Sequence, residues 1–146
     1  MNQISDFLTG DHRECDDLFA KAESVVSKGL WDEARMEMEK FTNMFFRHLN
    51  MEEEVLFPIL EDKMGGPVGP TMVMRSEHQQ MRGLVEEMGL AVQDQDQSAF
   101  LSASETLMIL IQQHNMKEEQ ILYPMCDEAL AEEGHEVIGK MQEVKM

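Results

Sequence analysis

The stretch His48-Leu-Asn-Met-Glu-Glu-Glu-Val-Leu-Phe-Pro58 returns later in the chain as His114-Asn-Met-Lys-Glu-Glu-Gln-Ile-Leu-Tyr-Pro124. The two align without gaps at an offset of 66, with five of eleven positions identical: the histidine, two glutamates, a leucine and the proline. Upstream, His12 and His78 are also 66 apart, and each lies 36 residues before the histidine that opens its segment. The second half of the chain repeats the first.

Around these residues, apolar positions recur at spacings of three and four, the period of one helix face. The stripes are Leu8, His12, Cys15, Phe19, Ala22, Val26; Ala34, Met38, Phe41, Phe45, His48, Glu52, Val55; Met74, His78, Met81, Val85, Met88, Val92; and Ser104, Leu107, Ile111, His114, Glu118, Ile121. Gly29 reads as a helix stop, Gly65-Gly66-Pro67-Val68-Gly69-Pro70 as the clearest breaker, and the polar run Gln93 to Gln97 as the last turn. No sustained strand alternation is present. The expectation is an all-α fold: an up-down-up-down four-helix bundle with a short C-terminal helical tail packed through Val137, Ile138 and Met141. Phe57-Pro58 and Tyr123-Pro124 read as closing the second and fourth helices. The 146 residues are expected to form one domain, 1–146, made of two hairpin repeats of about 5–62 and 70–128.

Twenty-nine acidic residues against twelve basic ones give a formal charge of −17. Such a surface repels phosphate backbones and anionic headgroups, so neither a nucleic-acid nor a membrane partner is expected. No apolar run approaches the roughly 20 residues that span a bilayer. The stretch from Met1 to Cys15 has neither a basic n-region nor an apolar h-region, so no signal peptide is expected. Two cysteines, Cys15 and Cys126, make no disulfide framework, and free thiols fit a cytoplasmic location.

The stripes carry an anomaly. Each holds one histidine where a core helix should be apolar, and two hold a glutamate one turn later. An unpaired carboxylate buried in a bundle core costs several kcal/mol, so something must offset it. Four imidazoles and two carboxylates converging about a pseudo-two-fold axis are what two neighbouring metal ions need, with the carboxylates bridging and two imidazoles terminating each ion. Nitrogen and carboxylate donors with open positions favour iron or manganese over calcium, and the absence of cysteine ligands disfavours structural zinc.

Asp11-His12-Arg13, His48-x-x-x-Glu52, Glu77-His78 and His114-x-x-x-Glu118, followed by Phe57-Pro58 and Tyr123-Pro124, resemble the hemerythrin-like HHE family over roughly residues 5 to 125. The resemblance implies a bundle with a non-haem di-iron centre, with or without an oxo or hydroxo bridge, whose ligands are His12, His48, Glu52, His78, His114 and Glu118. It also implies chemistry with O2, NO or peroxide, and a redox partner. The ligand types suit manganese as well as iron. Hemerythrins proper have a fifth histidine where Met74 stands here, and place the last carboxylate five residues after its histidine, at Glu119. The internal repeat favours Glu118, the counterpart of Glu52. Four histidines leave a position open on both metals, which resembles the relatives linked to nitric oxide stress and iron–sulfur repair. Their cysteine-bearing N-terminal domain has no counterpart here. Two readings of the function stand side by side: an enzyme reducing its small ligand, or a carrier, sensor or iron donor.

The remaining candidates have plainer readings. Cys15 and the dispersed methionines read as core filling, with Met44, Met74 and Met81 a candidate path for a small gas. Tyr123, close to Glu118, reads as capping the core end of its helix, with a hydrogen bond or electron donation as the alternative, and His135 as a surface or tail-packing residue outside the site. Apart from Glu52, the run Glu52-Glu53-Glu54 reads as a solvated face.

Overall fold

The computed structural model describes residues 3–146. Helix α1 is Gln3–Ser27. Helix α2 runs as Trp31–Met51, widens into a π-turn at Glu52–Leu56 and continues as Phe57–Lys63. Helix α3 is Gly69–Gln93. Helix α4 repeats the design of α2, with Gln97–Lys117, a π-turn at Glu118–Leu122 and Tyr123–Ala129. A short helix α5, Gly134–Gln142, ends the fold. Every boundary from α3 to the end of α4 lies 66 residues beyond its counterpart in α1 and α2. No strand occurs among the described residues, so the architecture is the expected all-α one.

The inter-helix turns show how the repeat is built. At the end of α1, the Gly29 N–H donates to the Val26 carbonyl and the Leu30 N–H to the Val25 carbonyl, a Schellman stop with Gly29 at φ 69°. After α3 the same bonds run from Gln95 to Val92 and from Asp96 to Ala91, but the left-handed residue is Gln95, at φ 53°. Asp96 then caps α4, its carboxylate accepting from the Ala99 N–H. Between the hairpins, Glu61 accepts from the Thr71 hydroxyl and from Arg75, tying the end of α2 to the start of α3.

The prolines do not close α2 and α4. Residues before and after the π-turns keep right-handed helical angles, and each helix runs on for several more residues. Pro58 and Pro124 lack an N–H, and each ring would crowd the carbonyl four residues back in a regular helix. A wide turn just before each proline, with the Phe57 N–H bonded to the Glu52 carbonyl and Tyr123 to Glu118, accommodates this without a break. The extra residue also rotates the inward face. Leu56 and Leu122 are buried where the even spacing pointed to Val55 and Ile121, and Ile121 is exposed.

Helix α5 lies against α1 and the first π-turn, with Val137 and Met141 buried and Ile138 half-buried. Its end is held by Arg47, which donates to the Gln142 and Val144 carbonyls. Asp127 of α4 accepts from the backbone N–H groups of Ile4 and Ser5, fixing the start of α1. No described helix is long and apolar enough to cross a membrane.

Candidate metal centre

Two apolar clusters fill the bundle: Phe19, Phe41 and Phe100 toward the tight turns, and Leu8, Leu56, Phe57 and Tyr123 toward α5. Between them lies a single buried polar layer of His12, His48, Glu52, His78, His114 and Glu118. Each of the four long helices contributes one histidine, and each π-turn begins on one of the glutamates. Potential ligand atoms of Glu52, His78, His114 and Glu118 lie within 4.8 Å of one another, as do those of His12, His48 and Glu118. The His12 and His48 rings are 4.6 Å apart and the His78 and His114 rings 4.9 Å, both pairs inclined at 52°.

Each imidazole is held from behind by a carboxylate on Nδ1. His48 pairs with Asp11 at 2.6 Å, and its repeat counterpart His114 pairs with Glu77 at 2.8 Å. His12 pairs with Glu119 at 2.7 Å, and His78 with Glu53 at 3.1 Å. The first two pairs form within a hairpin and the last two cross between hairpins, so the anchoring follows the same two-fold relation as the chain. Arg82 and Lys117 in turn bond Glu53 and Glu77. Fixing Nδ1 sets ring orientation and turns Nε2 into the layer, the arrangement that outer carboxylates give metal-binding histidines.

The inward atoms are paired only by charge, His78 Nε2 lying 3.1 Å from Glu52 Oε1 and His114 Nε2 3.2 Å from Glu118 Oε2. His48 Nε2, His78 Nε2, His114 Nε2, Glu52 Oε1 and Glu118 Oε2 are buried with no hydrogen bond. Orphaned polar atoms are rare in protein interiors and each costs about 1–3 kcal/mol. Grouped within reach of one another, these donors could hold a metal ion. The charges agree. Burial would lower the imidazole pKa values, but the carboxylates outweigh it: Glu118, Glu52 and Glu119 raise His12 to about 9, and Glu52, Glu53 and Glu118 raise His78 to about 9. Burial and the facing Glu118 push Glu52 up, whereas His114 and His12 hold Glu118 well below the usual carboxylate range despite its burial. Burial would push Glu53 up, but His78 and Arg82 bring it down to about 2.

The six residues singled out from sequence all lie in this layer, and His135 is exposed on α5, away from it. Glu118 faces inward, and Glu119 lies behind His12 on the outside. Two expectations need correction. Glu53 is not a solvated face residue, because it bonds both His78 and Arg82. Tyr123 does more than fill a helix end: its hydroxyl donates to Glu52 Oε2 at 2.6 Å and lies 3.0 Å from Glu118 Oε1 and from His12 Nε2. Burial, with Glu118 and Glu52 beside it, raises its pKa well above the ordinary phenol value, so it remains a donor. The outer carboxylates went unassigned in the sequence. Their signal was available, because Asp11 and Glu77, and Glu53 and Glu119, are acidic at both copies of the repeat.

A cavity of about 10 Å³ adjoins the layer, lined by His12, Cys15, Phe41, Phe45, His48 and Ile111, with Asp16 and Asn115 at its rim. That is room for about one water molecule. None of Met44, Met74 and Met81 lines it. The Cys15 thiol is packed in the core, and burial together with Asp11 and Asp16 pushes its pKa up.

The sequence model of the hemerythrin HHE cation-binding domain matches residues 3–126. An uncharacterized hemerythrin-like protein of Schizosaccharomyces pombe is 33% identical over 135 residues, 91% of this chain and 64% of that protein. The chain thus spans less than two thirds of the length of this relative. No solved structure matches it.

Proposed function

The chain belongs to the hemerythrin HHE cation-binding family, and on that premise we propose that it is a non-haem di-iron protein that binds or reduces O2, NO or peroxide in the bundle centre. The observation that carries this reading is the set of five buried donor atoms, turned toward one another, that make no hydrogen bond. In the proposal, His12 and His48 would hold one metal and His78 and His114 the other, with Glu52 and Glu118 shared between them to balance the charge. Iron bound there would supply a binding position for a small ligand and electrons to change its redox state.

The chain's own residues do the rest. Asp11, Glu53, Glu77 and Glu119 hold the imidazoles on Nδ1, so that Nε2 is the ligating atom. The apolar clusters above and below keep bulk water out of the layer. The cavity beside His12 and His48 restricts what approaches to about the size of one water molecule. Tyr123 presents a buried O–H donor to the carboxylates.

Reversible holding of O2 or NO is the second reading. Steady-state assays separate the two. Sustained consumption of peroxide or NO by the iron-loaded protein identifies an enzyme, and stoichiometric, reversible uptake without turnover identifies a carrier. An iron-loaded protein whose optical spectrum responds to none of O2, NO or peroxide contradicts both.

A further inference from the structure

We propose that the two metal positions fill in a fixed order, the His78–His114 position first, and that the hydroxyl of Tyr123 sets that order. The inference rests on the di-iron reading above and adds to it an inequality between the two halves.

The repeat makes the layer nearly symmetric, and the symmetry fails at one atom. Phe57 and Tyr123 occupy equivalent positions after the two π-turns. The Phe57 ring stacks on His78 at 5.7 Å, and the Tyr123 ring stacks on His12 at 5.5 Å. Phe57 brings no polar atom into the layer, whereas Tyr123 brings an oxygen that engages His12 Nε2, Glu118 Oε1 and Glu52 Oε2.

The consequence shows in which donors are free. Around the His78–His114 position all four groups keep a buried atom that makes no hydrogen bond: His78 Nε2, His114 Nε2, Glu52 Oε1 and Glu118 Oε2. By taking Glu52 Oε2, the tyrosine leaves Oε1 turned toward His78, 3.1 Å from its Nε2. Around the other position His48 Nε2 makes no hydrogen bond, but His12 Nε2 is already within hydrogen-bond distance of Tyr123 and of Glu118 Oε1. A cation entering the first position displaces only the ion pairs of His78 Nε2 with Glu52 Oε1 at 3.1 Å and of His114 Nε2 with Glu118 Oε2 at 3.2 Å, neither of which has hydrogen-bond geometry. A cation entering the second must first displace Tyr123 and Glu118 from His12. Tyr123 is therefore a positioning residue: it points Glu52 at one site and occupies the ligand atom of the other.

Titration of the metal-free protein with zinc(II), followed by 1H–15N correlation spectra of the histidine rings, tests this. The first equivalent should shift His78 and His114, and the second His12 and His48, with exposed His135 unmoved as the control. The second step should be weaker by about tenfold, the scale of one exchanged buried hydrogen bond. Tyr123→Phe should strengthen the second step and draw the two affinities together. Phe57→Tyr, which places a hydroxyl over His78, should weaken the first. Two ions taken up with equal affinity in the unaltered protein, a first equivalent that goes to His12 and His48, or a second step indifferent to Tyr123→Phe would each overturn the ordering while leaving the di-iron reading intact. No uptake of any metal, with all four core histidines unmoved, would remove the parent reading and this inference with it.

Discussion

Glu118 and Glu119 are adjacent in sequence and have opposite surroundings, one fully buried among imidazoles and the other bonded to the back of His12. Glu118→Ala should abolish metal retention after dialysis. Glu119→Ala should keep the centre but weaken it by about 10–100-fold, the usual cost of removing an outer carboxylate. Metal analysis of both variants checks this, and equal loss would mean the ligand assignment is wrong. The imidazole charges give a pH dependence. His12 and His78 are raised to about 9 in the metal-free protein, so their contribution to its stability is fully present below the unfolded value near 6.5 and disappears as pH rises through about 9. Metal must displace those protons, so affinity should climb with pH up to about 9 and uptake should release protons. Calorimetry in buffers of different ionisation enthalpy reads that release directly. That these six residues would share one layer was legible in the sequence, because a histidine breaking an apolar stripe four times over has few explanations. The outer carboxylates were harder to read: both copies of the repeat keep them acidic, but such a residue looks like any solvated charge until the facing helix is placed.

At the scale of elements, the helices were legible and the π-turns were not. Regular spacing of three and four assumes one helical period throughout, and the residue added at each π-turn moves the buried face from Val55 to Leu56 and from Ile121 to Leu122. The prolines looked like stops because a regular helix cannot take them, and the wide turn before each removes that objection. Two predictions belong here. Gln95 holds the left-handed angle that Gly29 holds in the first repeat, and Gln95→Gly should raise stability by roughly 1 kcal/mol by relieving it. Asp127→Ala should remove the cap on the first turn of α1 and cost about 1 kcal/mol. Denaturant unfolding measures both. A loss on Gln95→Gly would mean that its side chain contributes more than its backbone angle costs.

For the molecule as a whole, the repeat has two consequences. It lets short, local hairpin contacts build the bundle, and it places the layer of four histidines and two glutamates where the two hairpins meet. Without metal, that layer sets buried donors that make no hydrogen bond against the gain from the apolar clusters around it. Metal should therefore add to global stability, by about 2.7 kcal/mol when its free concentration is a hundred times its dissociation constant. Chelation should lower the thermal midpoint accordingly, and a midpoint indifferent to chelation would place the metal outside the fold's energetics. The central claim is that four imidazoles and two carboxylates hold a pair of irons, and its most direct test is iron content per chain on protein loaded anaerobically with ferrous iron and desalted. Two irons per chain are expected, falling to none in Glu118→Ala. One iron or none in the unaltered protein would contradict that claim.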